Sequence, residues 1–153
     1  MRRDYATEQN LSGEQYVQLI KWCARHSAYV GFIVFPKSDL SNRAQILLNA
    51  AEGRHATKRD VTHWPGTNLD SALATMYLMP ASVTAEIILP AASNLFAWQE
   101  PDLAEDLFFL REDESPILSV TAHEEHAELS LDSREFDELK RELSWLPKML
   151  TAA

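Results

Sequence analysis

The chain has 153 residues, 46% of them hydrophobic, only four glycines and a formal net charge of −9. That is length enough for one domain, read as 1–153, to bury a core without disulfide or metal staples. The single cysteine, Cys23, excludes an intrachain disulfide and suits a reducing compartment, and no stretch approaches the roughly 18 apolar residues of a membrane span.

The charge is unevenly spread. Residues 1–76 hold nine Lys/Arg and seven Asp/Glu, whereas residues 77–153 hold five and sixteen. An acidic carboxyl half repels phosphate backbones, so no direct nucleic-acid binding is expected of it, and a basic protein partner is favoured. The amino-terminal MRRDYATEQNLSGEQ has two arginines but no apolar run behind them. No secretory signal is expected, and the cytoplasm is the expected location.

In chain order, residues 1–12 read as a flexible end, and Ser12 with Gln15 forms a capping-box pattern ahead of a helix over 13–26, in which Tyr16, Ile20 and Cys23 share a stripe. Cys23 on that stripe reads as a packed thiol. AYVGFIVF (28–35), apolar on both faces, reads as a central strand. Pro36 ends it, and Asp39 or Ser41 caps a helix over about 40–52 with Leu40, Ala44, Leu47, Leu48 and Ala51 inward. The polar GRHATKRDVTHWPGTNLD then reads as a long surface loop, with a turn at Trp64-Pro65-Gly66 and the indole either anchoring the loop or serving as a binding residue.

LATMYLMP (73–80) reads as a second strand. The following run places Val83, Ile87, Ala91, Leu95 and Trp98 at helical spacing, with Pro90 expected to kink or split the helix. Residues 99–106 read as an acidic connection. Three short strands follow, LFFLR, ILSVTA and AELSL, joined by turns at EDESP and HEEH. Their alternation predicts a meander with one wet face, Val120 and Leu129 buried, Thr121 and Glu128 exposed. Asp132 and Glu135 fit a capping pattern for a last helix ending before Pro147, and 148–153 read as a second flexible end. The expected fold is α+β, a sheet of about five strands, antiparallel or mixed, with packed helices in the order α-β-α-β-α-β-β-β-α.

His123, Glu124, Glu125 and His126 offer zinc-type donors, but not in the HExxH spacing that sets two histidines one helical turn apart. Four consecutive residues at a hairpin tip rarely converge on one ion without ligands from elsewhere. The expectation is a solvated turn, with no metal, cofactor or catalytic residue assigned. Asp102, Glu105 and Asp106 are the carboxylates that could pair with it, Asp102 and Asp106 sharing a face only if that segment is helical. No phosphate-binding glycine loop, GxSxG or CxxC is present.

From Trp64 to about Leu143 the chain resembles a family of small, mostly uncharacterised bacterial proteins. The resemblance rests on WPGT (64–67), WQEPDLAEDLFFL (98–110) and SVTAHEEHAELSL (119–131) in that order. The family pattern there is W-x-x-P-x-L-x-E-D-L and S-[IV]-[AST]-H-E; this chain has Ala104 where proline normally precedes Glu-Asp-Leu, and Glu125 and His126 occupy a variable pair. Such proteins are often encoded beside secreted polymorphic toxins. The resemblance therefore implies an immunity protein whose partner is a toxin, possibly a nuclease with a basic groove, and it brings no catalytic or ligand residues.

The expected contacts are the exposed acids Glu112, Asp113, Glu114, Glu124, Glu125 and Glu128, with Trp64 or Trp98 as a buried anchor. The alternatives are a small metal-dependent hydrolase built from His123, Glu124 and His126 with Asp102 or Asp106, and a regulatory or scaffold module without a toxin.

Overall fold

The computed structural model describes residues 1–69 and 72–153; Asp70, the last residue of the predicted polar loop, lies outside them. In chain order the elements are β1 (Arg3–Thr7), α1 (Gly13–His26), β2 (Tyr29–Val34), α2 (Asn42–Gly53), β3 (Thr57–Val61), β4 (His63–Trp64) and β5 (Thr67–Asn68). Then follow β6 (Ala74–Pro80), β7 (Glu105–Leu110), β8 (Pro116–Thr121), β9 (His126–Leu131), α3 (Ser133–Glu142) and β10 (Thr151–Ala152). Eight strands form one sheet in the order β10-β1-β9-β8-β7-β2-β6-β3, every described pairing antiparallel, and β4 with β5 makes a separate hairpin.

The strand register explains why β2 is apolar on both faces. Tyr5, Leu129, Leu118, Phe109, Val30 and Met79 follow one another across β1-β9-β8-β7-β2-β6, and this row faces the main core. There they meet Leu19, Ile20 and Cys23 of α1, Leu47 and Ala51 of α2, and Leu139 of α3. Cys23 is buried, and burial pushes its thiol far above the usual range, as expected for a packed side chain. The adjacent row runs Ala6, Glu128, Ser119, Phe108, Gly31, Leu78 on the opposite face. Phe108 and Leu78 there join Ile33, Met76, Leu110 and Trp64 in a second, smaller core.

The α+β reading stands, but the sheet has eight strands where about five were expected. Two of the additions lie in the predicted flexible ends: β1 pairs with β9, and β10 with β1. A third, β3, lies in the predicted loop and pairs with β6. These strands sit at or near the sheet's margins, and β3 is exposed along Thr57–Asp60, so its composition carries no core-facing alternation. The run after β6 is not an α-helix. It folds as a 3-10 turn (Ala81–Val83), a π turn (Thr84–Ile88) and, beyond Pro90, a second 3-10 turn (Leu95–Ala97). Pro90 has no N–H to continue the ladder.

Local chemistry accounts for the helix starts unevenly. Asp132 and Glu135 form the predicted capping box of α3, and Ser41 caps α2 by accepting from the Ala44 N–H. Ser12 makes no side-chain cap, so the expected Ser12–Gln15 box is not formed.

The meander prediction holds on one face only. Val120 and Leu129 are buried and Glu128 is half-exposed, but Thr121 is buried too. The Pro65-Gly66 turn of the β4–β5 hairpin lies over it: a Cβ on Gly66 (φ +89°) would stand 2.8 Å from Thr121 Oγ1. A segment read as a surface loop thus roofs the face expected to be wet.

Gly31 is constrained by close packing. A Cβ there would lie 2.3 Å from the Tyr77 carbonyl oxygen and 2.6 Å from the Phe108 ring. Gly31→Ala is expected to destabilise the fold by at least about 3 kcal/mol, since the opposing backbone cannot yield without disturbing the β2–β6 ladder; a urea-denaturation midpoint within error of wild type would refute the packing argument.

Candidate functional site

The site forms where β7 begins. Between the pairs Gly31↔Phe108 and Ile33↔Glu105, β7 has two residues, Asp106 and Leu107, opposite the single residue Phe32. Asp106 absorbs the extra residue in the left-handed region, φ +53°, a conformation that Asp tolerates better than most side chains. In a regular strand the Glu105 and Asp106 side chains would point to opposite faces. The bulge cancels that alternation, and the two carboxylates come together.

His123 completes the group. It lies on a 3-10 turn (Ala122–Glu124) between β8 and β9, closed by Glu125 in the left-handed conformation. Its Nδ1 is 3.1 Å from Glu105 Oε1, while the ring stays half exposed. Glu105 Oε2 accepts from the Glu100 N–H at 2.9 Å, and Glu100 in turn accepts from the Phe35 N–H at 2.8 Å. Asp106 accepts from the Trp64 indole N–H at 2.9 Å and from the Ala122 N–H at 3.3 Å. Glu105 and Asp106 are 4% and 1% exposed. Among the described residues no Lys or Arg pairs with either.

Burial is the main reason the Asp106 carboxyl is pushed up to about 6, and the neighbouring charge of Glu105 adds to it. The Trp64 hydrogen bond, His123 and the Ala122 N–H act in the opposite direction. Nearby, Glu100 is also raised, chiefly by burial.

Among the described residues, Glu105, Asp106 and His123 are the one His/Cys/Asp/Glu trio whose donor atoms all lie within 4.8 Å of one another. The hydrolase grouping of His123, Glu124 and His126 is not assembled. Glu124 is exposed, His126 opens β9 with Nε2 3.8 Å from Glu128, and Asp102 is exposed, its carbonyl accepting from Ser41 Oγ. The turn holds His123, Glu124 and Glu125 of HEEH while His126 already belongs to β9, and His123 reaches Glu105 of β7 while Glu124 and Glu125 stay in solvent.

The six acids proposed as contacts do not form one surface. Glu112, Asp113 and Glu114 lie in the turn before β8, and Glu124 and Glu125 in the turn after it, about 17 Å apart along a six-residue strand. Glu114 is held bidentately by Arg59 at 2.8 and 3.2 Å, and Asp113 accepts from the Ser115 N–H and Oγ. Glu112, Glu124 and Glu125 are exposed with no ion pair among the described residues, and Glu128 meets only His126.

Trp64 and Trp98 are corrected as partner anchors. Both are buried: Trp64 in the second core against Phe35 and Asp106, Trp98 in the main core with its N–H on the Tyr16 hydroxyl at 2.9 Å. Their rings are occupied by the fold itself. Trp64 anchors its loop on the core.

An open groove of about 560 Å³ lies on the far side of Trp64, lined by Arg59, His63, Leu73, Met76 and Glu114 among others. None of the three clustered residues lines it. Comparison of the chain with known protein families, characterised proteins and solved structures finds no match.

In the sequence Glu105 and Asp106 stand out only as carboxylates that could pair with the HEEH turn. Their adjacency is the available signal; the left-handed bulge that joins them has none in a single sequence.

Because the Asp106 carboxyl is raised above its unfolded value of about 3.8, the folded state binds the proton more tightly. Its contribution to stability is present at low pH and is lost as pH rises through about 6. With a chelator present, wild type is therefore expected to gain on the order of 2 kcal/mol relative to Asp106→Asn between pH 7 and pH 4. Denaturation curves across that window check it; parallel pH profiles for the two proteins would show that Asp106 is not raised.

Proposed function

We propose that this protein neutralises a bacterial toxin in the cytoplasm by direct, stoichiometric binding through an acidic surface. The observation that carries the reading is the coincidence of two features at one corner. The three segments that resemble the immunity-type family meet there, through Trp64–Asp106, Gly66–Thr121 and His123–Glu105. The same corner presents Glu124 and Glu125 with no ion pair among the described residues. A toxin with a basic groove for a polyanionic substrate has the complementary potential, and an acidic inhibitor would be steered to it. No described helix is long and apolar enough to cross a membrane.

The geometry also ranks the acids. Reversing Glu114 removes a charge that Arg59 already offsets, whereas reversing Glu124 and Glu125 changes acids without such partners. Against a cognate toxin, sought among the products of the neighbouring genes, Glu124→Lys/Glu125→Lys is expected to slow association about tenfold at low salt. Its melting temperature should stay near wild type, since solvated charges contribute little to stability. The Glu112→Lys/Asp113→Lys/Glu114→Lys protein should slow less, and added salt should shrink both differences. Stopped-flow association and a co-expression survival assay are the measurements. Full protection with unchanged, salt-insensitive association in both variants would reduce these acids to ordinary surface, and failure of the wild type to bind or protect would remove the inhibitor reading.

A further inference from the structure

We propose that Glu105, Asp106 and His123 are the protein ligands of a divalent transition-metal ion. The proposal does not depend on the inhibitor reading. Two adjacent carboxylates, each more than nine-tenths buried, share this point with no Lys or Arg among the described residues to offset them. Buried carboxylates are ordinarily paired or bound to metal, because an isolated buried charge is strongly unfavourable. The one cationisable neighbour is an imidazole, itself a metal ligand, held half exposed on the outer side.

The donors are arranged as a site needs them. Two carboxylate oxygens and one imidazole nitrogen match zinc and its neighbours in the first transition row better than calcium or magnesium, which favour all-oxygen shells. The 3.1 Å between His123 Nδ1 and Glu105 Oε1 suits two adjacent ligands of one ion at bond lengths of about 2.1 Å. In tetrahedral coordination at such bond lengths two ligand atoms stand about 3.4 Å apart, so donor atoms that all lie within 4.8 Å of one another must close by at most about 1.4 Å around the ion. His123, on a short turn and half exposed, is the least confined of the three.

The supporting contacts are also in place. The Glu100 N–H fixes Glu105, and the Trp64 indole and Ala122 N–H fix Asp106, each by donating to an oxygen that retains a second lone pair. The exposed side of His123 leaves the remaining coordination positions to water. On binding, the proton between Nδ1 and Glu105 is released to water, the imidazole keeping its other N–H at Nε2, and both freed atoms take the ion, which then ties the turn after β8 to the start of β7.

The test uses the full, untagged chain, stripped with chelator and titrated with zinc chloride at pH 7.5 by calorimetry, with elemental analysis after dialysis. The expected result is about one equivalent bound at micromolar or tighter dissociation constant and a melting temperature raised by several degrees. His123→Ala should weaken binding at least tenfold, while His126→Ala and Glu124→Gln leave it within twofold. Glu105→Gln should also lose the ion. Because that buried change can impair folding, the half-exposed His123→Ala, shown folded by circular dichroism, decides the matter. Wild-type protein that takes up well under half an equivalent, a His123→Ala protein with wild-type affinity, or a His126→Ala protein that loses the ion would each overturn the assignment.

Discussion

Asp106 is a carboxylate placed where water does not reach, on left-handed backbone, with its oxygens held by an indole from one loop and a main-chain N–H from another. That arrangement is unfavourable in each part taken alone: backbone in a sparsely populated region, a charge out of solvent, a second carboxylate beside it. It persists because the surroundings over-determine it. The bulge fixes the side chain's direction, Trp64 fills the small core on the second face of the sheet, and the hairpin carrying Trp64 seats Gly66 on Thr121. Remove the Asp106–Trp64 hydrogen bond and the roof over β8 loses a buried polar tie to β7.

The two ends of β8 are finished by opposite electrostatics. At the Pro116 end arginines meet the carboxylates: Arg111 donates to the carbonyls of Pro116 and Ser130 and to both oxygens of Glu135, while Arg59 holds Glu114. Glu135 is also the residue that completes the capping box of α3, so one carboxylate joins the helix start to the sheet. At the Thr121 end no arginine or lysine pairs with the buried carboxylates, and the exposed acids Glu124 and Glu125 add to the same sign. Among the described residues the Pro116 end thus pairs Glu114 and Glu135 with arginines and leaves Glu112 unpaired, while the buried carboxylates of the Thr121 end meet no arginine or lysine. A positively charged ligand, whether an ion or a protein surface, finds its attraction there.

The legibility of the fold follows the strength of its hydrophobic pattern. The central strands β2, β6, β7 and β8 and the helices α1, α2 and α3 could be read because burial on one or two faces dictates their residues. The marginal strands could not: RDYAT, TKRDV and the two residues of β10 pair through backbone atoms and show little alternation. Thr121 was misread for a related reason. Its neighbours alternate as a half-wet strand should, and the covering element lies more than fifty residues away in the chain. The site was legible only in fragments, since His123, Glu105 and Asp106 each stood in a notable motif. Their meeting depends on one positive φ and on a turn that draws in one residue of HEEH.

The proposed cation site and the acidic corner would be coupled through charge. An ion at Glu105, Asp106 and His123 would add two positive charges beside Glu124 and Glu125, which make no ion pair among the described residues. At separations inside the Debye length of about 8 Å, solvent screening does not erase that change. The field that would steer a basic partner is therefore weakest when the ion is bound, unless the partner supplies a ligand to its open positions. Steering by Glu124 and Glu125 and neutralisation of Glu105 and Asp106 would thus be opposed uses of one acidic corner. Burial separates the two pairs, Glu124 and Glu125 in solvent and Glu105 and Asp106 beneath the turn.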